Sequence, residues 1–164
     1  AARLARETSL PAREVLDPGG THHFPKRVIT RPRAAGEDHT ATDLDAFEAS
    51  ERDGAFALSW RAHGLAYGIP ASIEGELRRG KHVVVNVSRA VVAEARSRFA
   101  PVRVIEVTAP APVLAQRLLS RGREGPGDIA SRLAREEPLD ADVVVVNDGP
   151  LYAAVASFLA ALRG

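Results

Sequence analysis

The sequence lacks cysteine and has few aromatic residues, which restricts the catalytic and ligand-binding groups that the protein can use. Without cysteine, disulfides, thiol catalysis and Cys-ligated zinc or iron–sulfur centres are excluded. The histidines lack the His-x-x-x-His spacing of a helical metal site, so the identity of any metal ligand stays unknown. No run approaches the roughly 18 apolar residues that a membrane span needs. We therefore expect a cytoplasmic protein with no membrane partner.

The sequence also lacks a large net charge, because positive and negative residues nearly balance. Lysine and arginine total 22, aspartate and glutamate total 21, and the net charge is +1. There is thus no overall field to attract nucleic acid, and we expect small-molecule partners instead. A length of 164 residues with 45% hydrophobic content suits one domain with a sizeable core. We expect a single domain over 1–164, of unknown oligomeric state.

The residues most informative about function are concentrated in one segment, 26–39. A short β-rich run at 28–30 leads into a loop that carries Arg31 and Arg33 around Pro32. Proline excludes a helix there and biases the preceding residue toward an extended backbone. Two guanidiniums on a stiff loop at a strand end can bind a phosphate group bidentately. A solvated basic loop is the alternative that these residues alone leave open.

Strand and helix patterns alternate along the chain. The runs at 82–87 and 143–146 are apolar without alternation, which is typical of parallel strands buried on both faces. This order predicts a three-layer α/β/α fold around a parallel sheet, with a small hairpin at 55–69 inside an insertion at 42–70. The predicted helices cover 43–52 (capped by Thr42, with Leu44, Phe47 and Ala46 inward), 71–79 (started by Pro70), 90–98, 111–121, 129–136 and 150–162; further strands cover 28–30 and 102–107.

Polar residues follow three of the predicted strands. In an open parallel sheet, ligands bind beyond the carboxyl ends of the strands. Arg31 and Arg33 follow the first of these strands, Ser88 and Arg89 the second, and Asn147-Asp148 the third. We therefore expect these side chains to converge at one edge of the sheet and to bind a phosphorylated ligand.

A second arginine-rich segment lies at 121–127. Arg121 and Arg123 stand among glycines, and Arg132 follows on the next predicted helix. Flexible glycines would let this loop close over a substrate, exclude water and bring positive charge to a phosphoryl group. The alternative is a solvated Arg–Glu pair without function. Together with the other arginines, the pattern favours a lid over 121–136.

One apparent phosphate-binding motif is rejected. Residues 75–81 match G-x-x-x-x-G-K. A P-loop must follow a strand, open a helix and continue with Ser or Thr for magnesium. Here the predicted helix comes first and His82 occupies the hydroxyl position.

Several short motifs follow one another in a fixed order over about 24–162. They are Thr30-Arg-Pro-Arg33, Gly36-Glu37, Leu65-Ala-Tyr-Gly68, Arg121-Gly-Arg-Glu124, Arg132-Leu133 and Val146-Asn-Asp148. This series resembles the guanylate-kinase-like P-loop kinases. Further matches resemble the ribose 1,5-bisphosphate phosphokinase branch, namely Arg27–Pro32, 36–39, Ala57–Trp60, His63-Gly64 and Asn86–Arg89.

The resemblance implies transfer of a phosphoryl group from ATP to ribose 1,5-bisphosphate, giving 5-phosphoribosyl 1-diphosphate during phosphonate degradation. It also implies Mg²⁺, although no protein ligand for it is visible. Residues with an implied role are Arg31, Arg33, Glu37, His39, Tyr67, Ser88 and Arg89 for the acceptor, Arg121, Arg123 and Arg132 for the transferred group, and Asn147 and Asp148 for the ATP adenine.

Two departures from guanylate kinase are informative. Ser59 and Ser88 stand where that enzyme has the Glu and Asp that help to read guanine, which suits a phosphorylated sugar without a base. The strand and G-x-x-x-x-G-K-[ST] loop that open the family are not among these residues, and we expect them upstream of Ala1. The alternatives are a guanylate-type nucleoside monophosphate kinase and a non-catalytic phosphate-binding module without a P-loop.

Overall fold

The computed structural model describes residues 20–33, 37–121 and 139–163. The chain divides into two compact units, Ala1–Val102 and Arg103–Gly164. Both units contain a parallel strand pair together with helices, so the predicted α/β class is confirmed. The grouping of the two units into one kinase-like domain stays a prediction.

The first unit contains most of the described strands. Its elements in chain order are β1 (His22–His23), β2 (Val28–Ile29), β3 (Thr40–Ala41), α1 (Leu44–Arg52), β4 (Phe56–Ala62), β5 (Leu65–Pro70), α2 (Ile73–Arg78), β6 (His82–Val83), a 3₁₀ turn (Arg89–Val91) and α3 (Val92–Arg98).

Four strands form a mixed sheet in the order β3-β2-β5-β4. Strands β4 and β5 are the predicted hairpin, and their turn has positive φ at His63 (53°) and Gly64 (71°). Two such residues match the twist of the flanking strands. Strand β2 is antiparallel to β5, with Ile29 opposite Tyr67, and parallel to β3. The expectation that this strand joins the parallel sheet is therefore wrong, because the hairpin occupies its edge.

Strand β6 pairs in parallel with β1, His22 lying opposite His82. The predicted strand at 82–87 has only its first two residues in this ladder. Val83, Val85 and Val87 pack against the core, while Val84 is half-buried and residue 86 is exposed. The prediction that this segment is buried on both faces is therefore wrong. Alternate residues of an extended chain point to opposite sides, and only one side packs against the core.

The core of the first unit lies between the hairpin and the segment after β6. Trp60 stacks almost parallel on Tyr67, with ring centroids 5.2 Å apart. The buried members of the cluster are Ala57, Leu58, Trp60, Ile69, Ile73 and Val91.

The start of α1 differs from its prediction. Asp43 is the N-cap, and its carboxylate accepts a hydrogen bond from the Ala46 backbone N at 2.8 Å, so Thr42 is not the cap. Phe47 is fully buried as predicted. Leu44 and Ala46 are exposed, which corrects their inward assignment. This nine-residue helix buries one central side chain and leaves its first turn exposed to solvent.

The next helix also begins later than predicted. Pro70 ends β5 and α2 starts at Ile73, because the hairpin ladder extends as far as the pair Phe56 and Pro70. Gly80 follows α2 with φ of 77°, as a terminating glycine should. The helix predicted at 90–98 opens as the 3₁₀ turn and continues as α3.

The second unit contains β7 (Ile105–Thr108), α4 (Ala111–Arg121), β8 (Val143–Val146) and α5 (Leu151–Arg163). Strands β7 and β8 are parallel, as predicted. Val145 is buried, but Val144 and Val146 are about half exposed, at 54% and 51%. The prediction of burial on both faces is therefore wrong here too. The helix predicted at 129–136 lies outside the described residues.

Among the described helices, none combines the length and the apolar character that crossing a bilayer requires.

Candidate functional site

The loop after β2 is organised by an ion pair between Arg31 and Glu37. The Arg31 Nη1 lies 2.7 Å from Glu37 Oε2, and Nη2 donates to Oε1 at 2.9 Å. Both side chains are mostly buried, with 29% and 24% of their surface exposed. The hydrogen bond to Glu37 raises the pKa of Arg31. The guanidinium is therefore charged and fixed in direction.

Two further hydrogen bonds close the same loop. Arg33 Nε donates to the backbone oxygen of His39 at 2.5 Å, and His39 Nε2 lies 3.3 Å from the backbone oxygen of Arg31. A carbonyl oxygen only accepts, so Nε2 is the donor in this contact. His39 is buried, with Nδ1 at 3.7 Å from Glu37 Oε2. Arg33 and His39 thus shape the loop, while their predicted contacts with the acceptor stay predictions.

Arg27, at the other end of β2, was missed as a site residue by the sequence analysis. Its Nη1 donates to the backbone oxygen of Asn86 at 3.4 Å. Desolvation lowers the pKa of Arg27, and the charge of Arg31 lowers it further, whereas Tyr67 and Glu37 act in the opposite direction. Tyr67, Arg31 and Glu37 are therefore within electrostatic reach of Arg27. Strand alternation was the available signal, because it places Arg27 on the side of Ile29.

Ser88 and Arg89 lie in the same unit as this group. Ser88 is half-buried and caps the 3₁₀ turn, its Oγ accepting from the Ala90 backbone N at 3.4 Å. Arg89 is exposed at the start of the turn. The bond from Arg27 to Asn86 joins this segment to β2. The structure therefore brings the 86–89 segment next to the strand that leads into Arg31.

A carboxylate lies beside Ser59, although the sequence suggests that this position lacks one. Ser59 Oγ donates to Glu51 Oε1 at 2.5 Å, so a carboxylate reaches this position from α1. Arg61 binds both oxygens of the same carboxylate, at 3.2 and 2.7 Å. Hydrogen bonds from Arg61 and then Ser59 lower the pKa of Glu51. The carboxylate is neutralised within the protein, which agrees with a site that does not read a purine base.

In the second unit, the residues after β8 are held by a helix residue that the sequence analysis missed. Arg117 on α4 donates from Nη1 to the Asn147 backbone oxygen at 2.8 Å and from Nη2 to its side-chain oxygen at 3.4 Å. Asp148 is exposed beside it. No local sequence signal marks Arg117, because the contact joins residues 30 positions apart.

The predicted lid cannot be placed. Arg121 is the last residue of α4, and its side chain lies outside the described part of the chain. Arg123 and Arg132 lie outside it as well. The roles of these three arginines stay predictions.

The described residues do not assemble a metal site. Over 20–33, 37–121 and 139–163, no group of three or more His, Cys, Asp or Glu side chains could hold a metal ion. Magnesium that binds together with ATP does not require such a cluster, because it is held by one or two carboxylates together with phosphate oxygens and water. The rejected motif at 75–81 runs from α2 into β6, the reverse of a P-loop, and Lys81 Nζ is paired with Glu76 Oε2 at 2.9 Å.

Comparison with known proteins gives close relatives. The chain is 54% identical over 140 residues to the ribose 1,5-bisphosphate phosphokinase PhnN of Acidiphilium cryptum, covering 85% of this chain and 75% of that protein. It is 50% identical over 145 residues to the protein of the same name from a Chelativorans species, covering 85% and 69%. No family model matches the chain.

Among solved structures, the chain is similar to the crystal structure of guanylate kinase from Anaplasma phagocytophilum. The TM-score is 0.68 at 19% identity, with 93% of this chain and 78% of that chain covered. At this identity the likeness shows the fold alone. The guanylate-kinase-like fold expected from the sequence is thereby confirmed.

Proposed function

This chain belongs to the ribose 1,5-bisphosphate phosphokinase family, and from that premise we propose that it transfers the γ-phosphoryl group of ATP to ribose 1,5-bisphosphate. The products are ADP and 5-phosphoribosyl 1-diphosphate, a step of phosphonate degradation. The observation that carries the proposal beyond family membership is the oriented guanidinium of Arg31, with Arg27 and Tyr67 in reach of it.

Arg31 is the main ligand of the acceptor phosphate in this proposal. A guanidinium has five N–H groups, and the pair with Glu37 engages only two of its nitrogens. The remaining edge can donate to phosphate oxygens. Glu37 itself would repel a phosphate, so its role is to orient Arg31 rather than to contact that group. Arg33, His39, Tyr67, Ser88 and Arg89 complete the acceptor side.

The transfer step needs no protein nucleophile, since phosphoryl transfer depends on positioning and electrostatics. We assign charge neutralisation on the transferred group to Arg121, Arg123 and Arg132, because arginines in a glycine-flanked loop can approach when it closes. We assign Asn147 and Asp148 to the binding of the ATP adenine. Magnesium, when bound with ATP, neutralises phosphate charge, and its protein ligand is not assigned.

The test is a coupled kinase assay on the protein as its gene encodes it. Ribose 1,5-bisphosphate and GMP are offered as acceptors with ATP and magnesium, and ³¹P NMR identifies the product. We expect a diphosphate signal from the sugar and a kcat/KM at least about 100-fold above that for GMP, because the carboxylate near Ser59 is engaged by Arg61.

Either of two outcomes would overturn the proposal. GMP as the better acceptor would indicate a guanylate-type kinase. Binding of the sugar bisphosphate without any turnover would indicate a phosphate-binding module.

A further inference from the structure

Arg27 has an unusual environment for an arginine. It is half-buried, and among the described residues its guanidinium has one hydrogen-bond acceptor, the Asn86 backbone oxygen, at 3.4 Å. That distance is beyond the usual range for a strong N–H···O bond. The neighbouring Lys26 differs, because it is exposed and paired with Asp38 at 2.8 Å.

Among the charges that act on Arg27, Arg31 is a second cation and Glu37 is an anion. The Glu37 carboxylate is already engaged by both terminal nitrogens of Arg31. Burying a charge is costly unless a partner compensates it. The side of β2 that carries Arg27 can therefore accept an anion, and the described residues do not supply one beyond Glu37.

We propose that Arg27 binds the second, non-reacting phosphate group of the acceptor and thereby selects a sugar bisphosphate over a sugar monophosphate. This inference rests on the proposed function. The reacting phosphate needs a fixed orientation, which Glu37 gives to Arg31. A remote phosphate needs charge and hydrogen-bond donors, which Arg27 supplies from the segment that contacts Asn86.

A purely structural role for Arg27 makes a different prediction. If its bond to Asn86 only joined β2 to the 86–89 segment, its loss would weaken every acceptor by the same factor. A phosphate ligand instead discriminates between acceptors that carry or lack the second phosphate. Two acceptors, ribose 1,5-bisphosphate and ribose 1-phosphate, therefore separate the two roles.

The experiment measures kcat and KM for both acceptors in the wild-type protein and in Arg27→Gln. In the wild type, we expect KM for ribose 1-phosphate to be about 10- to 100-fold above that for the bisphosphate, the loss of a charge-assisted contact. In Arg27→Gln, KM for the bisphosphate rises by a similar factor, and KM for ribose 1-phosphate changes less than about threefold. Lys26→Gln removes the same charge one position away and leaves both KM values unchanged.

The outcomes are distinguishable. No phosphorylation of ribose 1,5-bisphosphate by the wild type would overturn the proposed function itself. If the wild type phosphorylates both acceptors without preferring ribose 1,5-bisphosphate over ribose 1-phosphate, this inference is overturned. That comparison uses the wild type alone and does not depend on a variant folding. An equal rise of both KM values in a folded Arg27→Gln, checked by circular dichroism, would overturn it as well. Arg27→Lys, which keeps the charge but loses the planar fork, should show an intermediate rise.

Discussion

The carboxylate of Glu37 binds both terminal nitrogens of Arg31, at 2.7 and 2.9 Å, and the two residues lie at opposite ends of one loop. A carboxylate in this position has two opposite effects on an incoming phosphate. It repels the anion, and it holds the guanidinium in one direction so that binding does not have to order it. The pair therefore links the local structure of the loop to the affinity of the site.

Removing the two partners singly and together tests this link. We expect Arg31→Ala to raise the acceptor KM by about 10- to 100-fold, equivalent to about 1.5–3 kcal/mol for a charge-assisted hydrogen bond. Glu37→Ala should raise it by a smaller factor, because Arg31 is retained but no longer oriented. The double variant should be no worse than Arg31→Ala, since Glu37 then has nothing to orient. Steady-state kinetics with varied acceptor provide all three values, and additive effects would contradict the positioning role of Glu37.

Acid sensitivity should reveal the network of Glu51, Ser59 and Arg61. The pKa of Glu51 is lowered in the folded protein from its ordinary value of 4.5. A lowered folded-state pKa contributes stability above the unfolded-state value, and this contribution is lost as the pH falls through the folded-state value. We expect Glu51→Gln to lower the free energy of unfolding by about 1 kcal/mol at pH 7, where the ion pair is present but partly solvated.

Urea denaturation at pH 7, 4 and 3 measures this difference. The gap between wild type and Glu51→Gln should shrink as the pH falls below 4.5. Glu48→Gln on the same helix is the control, because Glu48 is exposed and should change stability by less than about 0.5 kcal/mol. A gap that stays constant down to pH 3 would rule out the assigned role of the Glu51 charge.

The hairpin and the arginine loop are the parts that the sequence predicts best, because their signals are local. Alternation through β4 and the two turn residues His63 and Gly64 specify the hairpin. The apolar runs are less informative. A run such as 143–146 is compatible with burial on one face or on two, and Val144 shows that only packing partners decide between them.

The side-chain contacts that the sequence analysis missed join residues far apart in the chain. Arg31 and Glu37 belong to one short segment. The bond from Arg27 to Asn86 joins positions 59 apart, and that from Arg117 to Asn147 joins positions 30 apart. Periodicity and turn signals describe neighbours along the chain, so they carry no information on such pairs.

Arg117 gives a prediction for the nucleotide side. We expect Arg117→Ala to raise the KM for ATP by about 3- to 10-fold, because the two hydrogen bonds that hold Asn147 are lost. The acceptor KM should stay within about twofold. Kinetics with ATP varied at saturating acceptor measure the effect, and Arg163→Ala, which removes an exposed arginine of the same unit, is the control. An unchanged KM for ATP in folded Arg117→Ala would mean that Asn147 is not near the nucleotide.

Gly68 tests the packing that supports the site. A Cβ added at this residue would lie 2.5, 2.7 and 2.9 Å from Cδ1, Cε1 and Cγ of Phe56. The Phe56 ring cannot easily retreat, since it stacks on Phe47 with centroids 4.6 Å apart and Phe47 is fully buried. Overpacking of this kind costs about 1–3 kcal/mol.

We therefore expect Gly68→Ala to lower the melting temperature by about 2–10 °C for a protein of this size. Gly149→Ala is the matched control, because a Cβ there meets nothing within 4 Å, and it should shift the melting temperature by less than about 2 °C. Adding Phe56→Leu to Gly68→Ala relieves the contact, so the combined loss should be smaller than the sum of the single losses. A Gly68→Ala protein as stable as the wild type would show that the Phe56 ring moves aside without cost. The strand that carries Tyr67 would then be less tightly packed than its contacts imply.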